Sequence, residues 1–263
     1  MPGPVGQSAR GDEPVISIDR SSMPTHTPRR WPQRLWGPCA VLAAVLLPLV
    51  ALGYSGDSGY EAALRATPDL VHGAGIFTAQ CAGCHGGDGR GSDNGLVPLI
   101  AAQHAAVILR QLYNYRQDRR WDLRMEHVTD GHVPLGPQEM ADVAGYIAGM
   151  PPAAGHGVGS GEYAAHGGSL YRQTCAGCHG RLGEGSSAAR VPRLAGQSYA
   201  YLLRQLHDVL EHRRPDFPSG HIAVLRPLIR DDLDGVADYL SRLAPAGSTL
   251  EVDGLPDGAP AGR

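Results

Sequence analysis

Two five-residue stretches carry reactive side chains in a fixed order. They are Cys81-Ala82-Gly83-Cys84-His85 and Cys175-Ala176-Gly177-Cys178-His179. In each, two thiols stand three residues apart and an imidazole comes directly after the second. Thiols so placed can add to the two vinyl groups of one porphyrin, and the next His then lies beneath the iron as its proximal ligand. The pattern reads as covalent attachment of two haem c groups, through Cys81 and Cys84 and through Cys175 and Cys178, with His85 and His179 on the irons. A redox dithiol or half a zinc site also uses Cys-x-x-Cys. A dithiol needs no trailing His, and a zinc site would need two further ligands, some of which the chain's histidines could supply. No nucleophile–base pair or substrate pocket is readable, so no catalytic residue is assigned.

The segments around the two motifs are themselves repeated. Cys81 and Cys175 are 94 residues apart, and the same offset relates His72 to His166, Pro98 to Pro192, Gln103 to Gln197 and Arg120 to Arg214. Later the offset becomes 93, with Pro134-Leu135 answering Pro227-Leu228 and Tyr146 answering Tyr239. This is a duplicated domain rather than a solenoid. Each copy reads as helix, motif loop, helix, loop, helix. "HAAVILRQLYNYRQ" and "SYAYLLRQLHDVLEH" have helical apolar spacing, and the last helix of each copy has an acidic first turn. Strand signals are weak. The fold class is all-α, with the haem serving as core.

The domains read from the chain are a disordered segment 1–34, an apolar segment 35–54, a first domain 64–150, a Pro/Gly linker 151–160, a second domain 161–244 and a disordered tail 245–263. The 263 residues include 36 Gly and 21 Pro but only two Phe, a composition poor in core and rich in loop. Small domains of that kind need a cofactor, metal or disulfide to stay folded. Net charge is −3 with no long basic run, so nucleic acid is not expected as a partner. Leu35 to Tyr54 carries no charge and lies just after Arg29, Arg30 and Arg34. About 20 apolar residues can span a bilayer, and the arginines predict that the chain beyond Tyr54 is exported. A cleaved signal peptide, with translation starting at Met23, delivers the chain to the same side. Cys39 reads as a small residue of that apolar run.

The chain resembles the di-haem class I cytochromes c, of the cytochrome c4 type, over about residues 68–244. The resemblance rests on CAGCHG at 81–86 and 175–180, on "VPRLAGQSYAYLLRQL" at 191–206, and on Arg120 followed by Met125. It implies that first and last helices cross closely, with Gly73 and Phe77 in one copy and Gly167 and Tyr171 in the other at the crossing, beside Tyr146 and Tyr239. It implies that the carbonyls of Pro98 and Pro192 accept the proximal His Nδ1–H. It also implies a Met sixth ligand from the loop before the last helix.

Met125 stands in that place in the first copy, with His127 as rival; Met140 and Met150 read as core or helix-end residues. The second copy has no methionine. At the repeat offset Met125 falls on Ser219, and His221 stands two residues on, where it is either the counterpart of His127 or brought into place by a two-residue slip. The second haem is then bis-His through His221, open, or ligated from elsewhere, in that order. His207 and His212 read as solvent-facing. The function so implied is an exported electron carrier rather than an enzyme. It would pass electrons between a quinol-oxidising complex or dehydrogenase and a terminal oxidase or reductase. The alternative is a haem enzyme or gas sensor using an open second haem.

Overall fold

The computed structural model describes residues 58–130, 135–153 and 157–244. The segments read at 1–34, 35–54 and 245–263 lie outside the described residues. Those described fall within one compact unit, residues 56–263. Its regular structure is helical; the extended pairing among the described residues is an isolated bridge between Ser186 and Val191.

The first copy is built from α1 (Ser58–Arg65), α2 (Leu70–Ile76), a π-helical turn (Phe77–Cys81), α3 (Ala82–His85), α4 (Ala105–Arg116), α5 (Leu123–Asp130) and α6 (Pro137–Gly149). The second is built from α7 (Ala164–Thr174), α8 (Ala176–His179), α9 (Tyr199–Leu210), α10 (Ser219–Leu225) and α11 (Arg230–Arg242). The motif stretches expected as loops are short helices, α3 and α8. α1 is an addition to the repeat. Its buried Tyr60 and Ala63 join the core of the first copy, and the described residues ahead of α7 hold no such helix.

In each copy the first and last helices, α2 with α6 and α7 with α11, make the most extensive helix contact. Glycine decides how close they come. A methyl group on Gly73 would overlap the Asp142 carbonyl, and one on Gly167 would overlap the Gly235 carbonyl. The aromatic pairs implied by the resemblance meet at these crossings. Phe77 and Tyr146 have ring centroids 5.5 Å apart, and Tyr171 and Tyr239 5.6 Å. Such tilted pairs add about 1 kcal/mol beyond their buried area. Met140 is fully buried in α6 and Met150 is buried at its end, so both are packing residues.

The copies meet through reciprocal contacts. The Gln103 side chain binds the backbone of Arg193, and the Gln197 side chain binds the backbone of Leu99. These are equivalent pairs at the 94-residue offset, so the interface pairs like with like, as an isologous contact does. Arg120 and Arg214, both buried, lie in the same interface. Arg120 donates to Gln111, Gln205 and the Tyr201 hydroxyl, while Arg214 donates to Gln205 and pairs with Asp216.

Candidate haem centres

In the first copy the π-helical turn ends at Cys81, and α3 presents Cys84 and His85. Extra-wide turns of this kind recur at functional sites. Cys81 is half-buried against the core, and burial, then the neighbouring Cys84, pushes its thiol up to about 11. Cys84 is exposed, as is Cys178, and none of the four cysteines of the motifs is in a disulfide. Burial also raises the Cys175 thiol.

His85 is 7% exposed, and its Nδ1–H donates to the Pro98 carbonyl at 3.0 Å. His179 makes the equivalent bond to Pro192 at 3.3 Å. A carbonyl can only accept, so Nδ1 must carry the proton and Nε2 must offer a lone pair. That is the tautomer a metal needs, and such a bond raises the basicity of the ligand. Burial lowers the proton affinity of both rings, which favours the neutral ligating form. The prolines expected from the resemblance therefore do face their histidines. The chain can bend back to bring them there because Gly91 and Gly185 have φ of +74° and +68°, with no room for a Cβ beside the Pro98 and Pro192 carbonyls.

A short helix stands near each of these histidines where the sequence predicts a loop: Asp122 and Arg124 at the start of one act electrostatically on His85, and His221 of the other lies beside His179. In α5, the Asp122 carboxylate accepts from the Arg124 N–H, and the Glu126 carboxylate accepts from the Asp122 N–H, a reciprocal cap. Met125 is the third residue of α5, half-buried against the first core, while His127 is exposed. His221 is the third residue of α10. The helix thus starts two residues late relative to the repeat, after Pro215-Asp216-Phe217-Pro218, and Ser219 becomes its first residue. His207 is half-buried on α9 and His212 is exposed just beyond it.

The His179 and His221 rings have centroids 6.2 Å apart and planes at 77°. Two imidazoles on opposite sides of one metal, each bonded at about 2 Å, have ring centres about 6 Å apart. His221 Nδ1 is buried with no hydrogen-bond partner among the described residues. Burial first, then the nearby His179, lowers the proton affinity of His221. On donor set and spacing, these residues fit a haem.

The family model described as "Cytochrome c" matches residues 70–151 and again 164–244. The chain belongs to the cytochrome c family. Its two cytochrome c domains carry two haem c, and its likeness is to the di-haem cytochrome c4 proteins. Cytochrome c4 of Thiocapsa roseopersicina is 32% identical over 199 residues, covering 71% of this chain and 98% of that protein. A "Thiosulfate dehydrogenase electron acceptor" of Stutzerimonas stutzeri is 31% identical, covering 78% of this chain and 94% of that one. The crystal structure of reduced recombinant cytochrome c4 from Pseudomonas stutzeri superposes with a TM-score of 0.61 at 28% identity, over 68% of this chain and all of that one. The chain is a di-haem electron-transfer cytochrome. Bound haem supplies one-electron iron chemistry, and the protein supplies ligands, orientation and environment.

Proposed function

We propose that this cytochrome is an exported relay with two unequal haems. Haem 1 is attached at Cys81 and Cys84 and ligated by His85 and Met125. Haem 2 is attached at Cys175 and Cys178 and ligated by His179 and His221. The observation that carries the asymmetry is the 6.2 Å separation of the His179 and His221 rings, a spacing that suits one iron between them. It favours bis-His ligation over the open-site enzyme or sensor. A thioether stabilises ferrous iron, while a second imidazole donates more strongly to ferric iron, so haem 1 takes the higher potential.

Electrons then enter at haem 2 and leave from haem 1 toward an acceptor of higher potential. The partners are redox proteins: a quinol-oxidising complex or dehydrogenase on one side, an oxidase or reductase on the other. The relative named as a thiosulfate dehydrogenase electron acceptor supports a dehydrogenase as donor. Export rests on the uncharged stretch Leu35–Tyr54 behind three arginines. No helix among the described residues is long and apolar enough to cross a membrane. A redox titration of the purified protein tests the proposal. Two resolved one-electron steps are expected, with the thioether-to-iron charge-transfer band belonging to the higher. One unresolved wave with that band on both haems would refute it.

A further inference from the structure

The interface glutamines touch the peptide groups that hold the proximal histidines. Pro98 and Leu99 share one peptide unit. Its oxygen accepts from His85 Nδ1–H at 3.0 Å, and its N–H donates to Gln197 Oε1 of the other domain, also at 3.0 Å. Pro192 and Arg193 share another. Its oxygen accepts from His179 Nδ1–H at 3.3 Å, and its N–H donates to Gln103 Oε1 at 2.9 Å. Each glutamine is held in place by a second bond, from its Nε2–H to the carbonyl of the same residue, Leu99 or Arg193, at 2.9 Å. Gln197 is 7% exposed, so water does not compete.

We propose that Gln103 and Gln197 are positioning residues that cross-tune the haems, each setting the potential of the haem in the domain opposite its own. This rests on the reading of His85 and His179 as proximal ligands. The peptide C–N bond is partly double, so a bond accepted from the N–H moves electron density onto the oxygen. Linked hydrogen bonds polarise one another, most strongly away from water. The more negative oxygen draws the Nδ1 proton harder, and the imidazole becomes a stronger donor to iron. Stronger donation favours ferric iron and lowers the potential. The relay to haem 1, through Gln197, is the buried one, and its His–Pro bond is shorter by the distances above. Gln197 therefore acts more strongly on haem 1 than Gln103 does on haem 2.

The experiment is redox titration of the full di-haem protein as Gln197→Met, Gln103→Met and Gln197→Glu. Removing the acceptor at Gln197 should raise the reduction equilibrium constant of haem 1 about threefold to tenfold, the scale of one net hydrogen bond; tenfold is 59 mV for one electron. Haem 2 should stay within twofold. Gln103→Met should raise haem 2 and spare haem 1. Gln197→Glu keeps an oxygen acceptor for the Leu99 N–H, so haem 1 should stay at or below its parent value. A loosened interface, by contrast, would move both haems in every variant. Equal shifts of both haems, no shift, or a rise with Gln197→Glu overturns the relay. Proton NMR of the ferrous protein separates the two claims. If the ring protons of His85 and His179 lack the large upfield shift of a haem ligand, the ligand assignment has failed. If they show it and the potentials behave as in any overturning case, the relay alone has failed.

Discussion

Met125 and His221 hold the same place in the fold, the third residue of the short helix that precedes the last one, although the repeat offset pairs Met125 with Ser219. The second copy begins that helix two residues late and then shortens the return, so that Leu135 again answers Leu228. One helical position thus presents a thioether in one domain and an imidazole in the other.

His221→Ala should turn haem 2 high-spin in the ferrous state and let carbon monoxide bind there, while haem 1 keeps its spectrum. The optical spectrum with and without carbon monoxide checks it. No change on substitution would show that His221 does not ligate iron. Met125→His should lower the higher potential step and abolish the thioether charge-transfer band, leaving haem 2 nearly in place.

Replacing Cys175 and Cys178 together by Ala removes both thiols of the second motif. The expected product has no thioether to its second haem, and that haem is lost on denaturation. Intact mass and a haem-stained denaturing gel read the outcome; a variant that still holds two haems covalently would contradict attachment at Cys175 and Cys178.

Gly167→Ala places a methyl group against the backbone of α11, and neither helix can yield without moving its domain's core. Overpacking of backbone on backbone should cost about 3 kcal/mol. Thermal unfolding of the holoprotein should show a clear fall, whereas Gly149→Ala, exposed at the end of α6 and meeting nothing within 4 Å, should leave the midpoint nearly unchanged.

Asp142 is wholly buried and ties α2 to α6. It accepts from the Asp69 N–H, the Gln138 amide and His72 Nδ1. Burial raises its pKa, but these donors outweigh burial and hold it below the usual carboxylate range. The folded state therefore binds fewer protons than the unfolded chain in acid. The stabilisation is complete above the unfolded pKa of about 4 and is lost as pH falls through the lower folded value. Asp142→Asn should cost about 2 kcal/mol at neutral pH and flatten the loss of stability below pH of about 4. Denaturant midpoints at several pH values check it. An unchanged slope in acid would assign the acid sensitivity elsewhere.

Much of this protein is legible in its residue order, because its chemistry is local. Cys-x-x-Cys-His is a covalent requirement set within five residues, so two haem c are legible from order alone, and the same order nominates the attachment cysteines and proximal histidines. Pro98 and Pro192, each 13 residues past their His, and the Gly-x-x-x-aromatic crossings are legible only through the resemblance to the di-haem class I cytochromes c, which says what those spacings are for. Helices α4 and α9 announce themselves by apolar period, and α6 and α11 by their acidic starts. The helical form of the motifs and of the ligand-bearing segments is not legible there. Four residues cannot show a 3.6-residue period, and the cap of α5 depends on side chains folding back on the backbone. Helix α1 escapes for a similar reason: eight residues become a helix because Tyr60 and Ala63 find a core to enter.

Residue identity and short spacing are enough to read two haem groups, to nominate their cysteines and proximal histidines, and to show that only the first copy has a methionine. The register of His221 needed the folded chain, since the sequence allows either a counterpart of His127 or a slip of two residues and only the placement of the helix chooses the slip. So did the joining of Gln197 to Leu99 and of Gln103 to Arg193, residues 98 and 90 positions apart. A hydrogen bond over such separations depends on how two finished domains dock, and no local pattern encodes that.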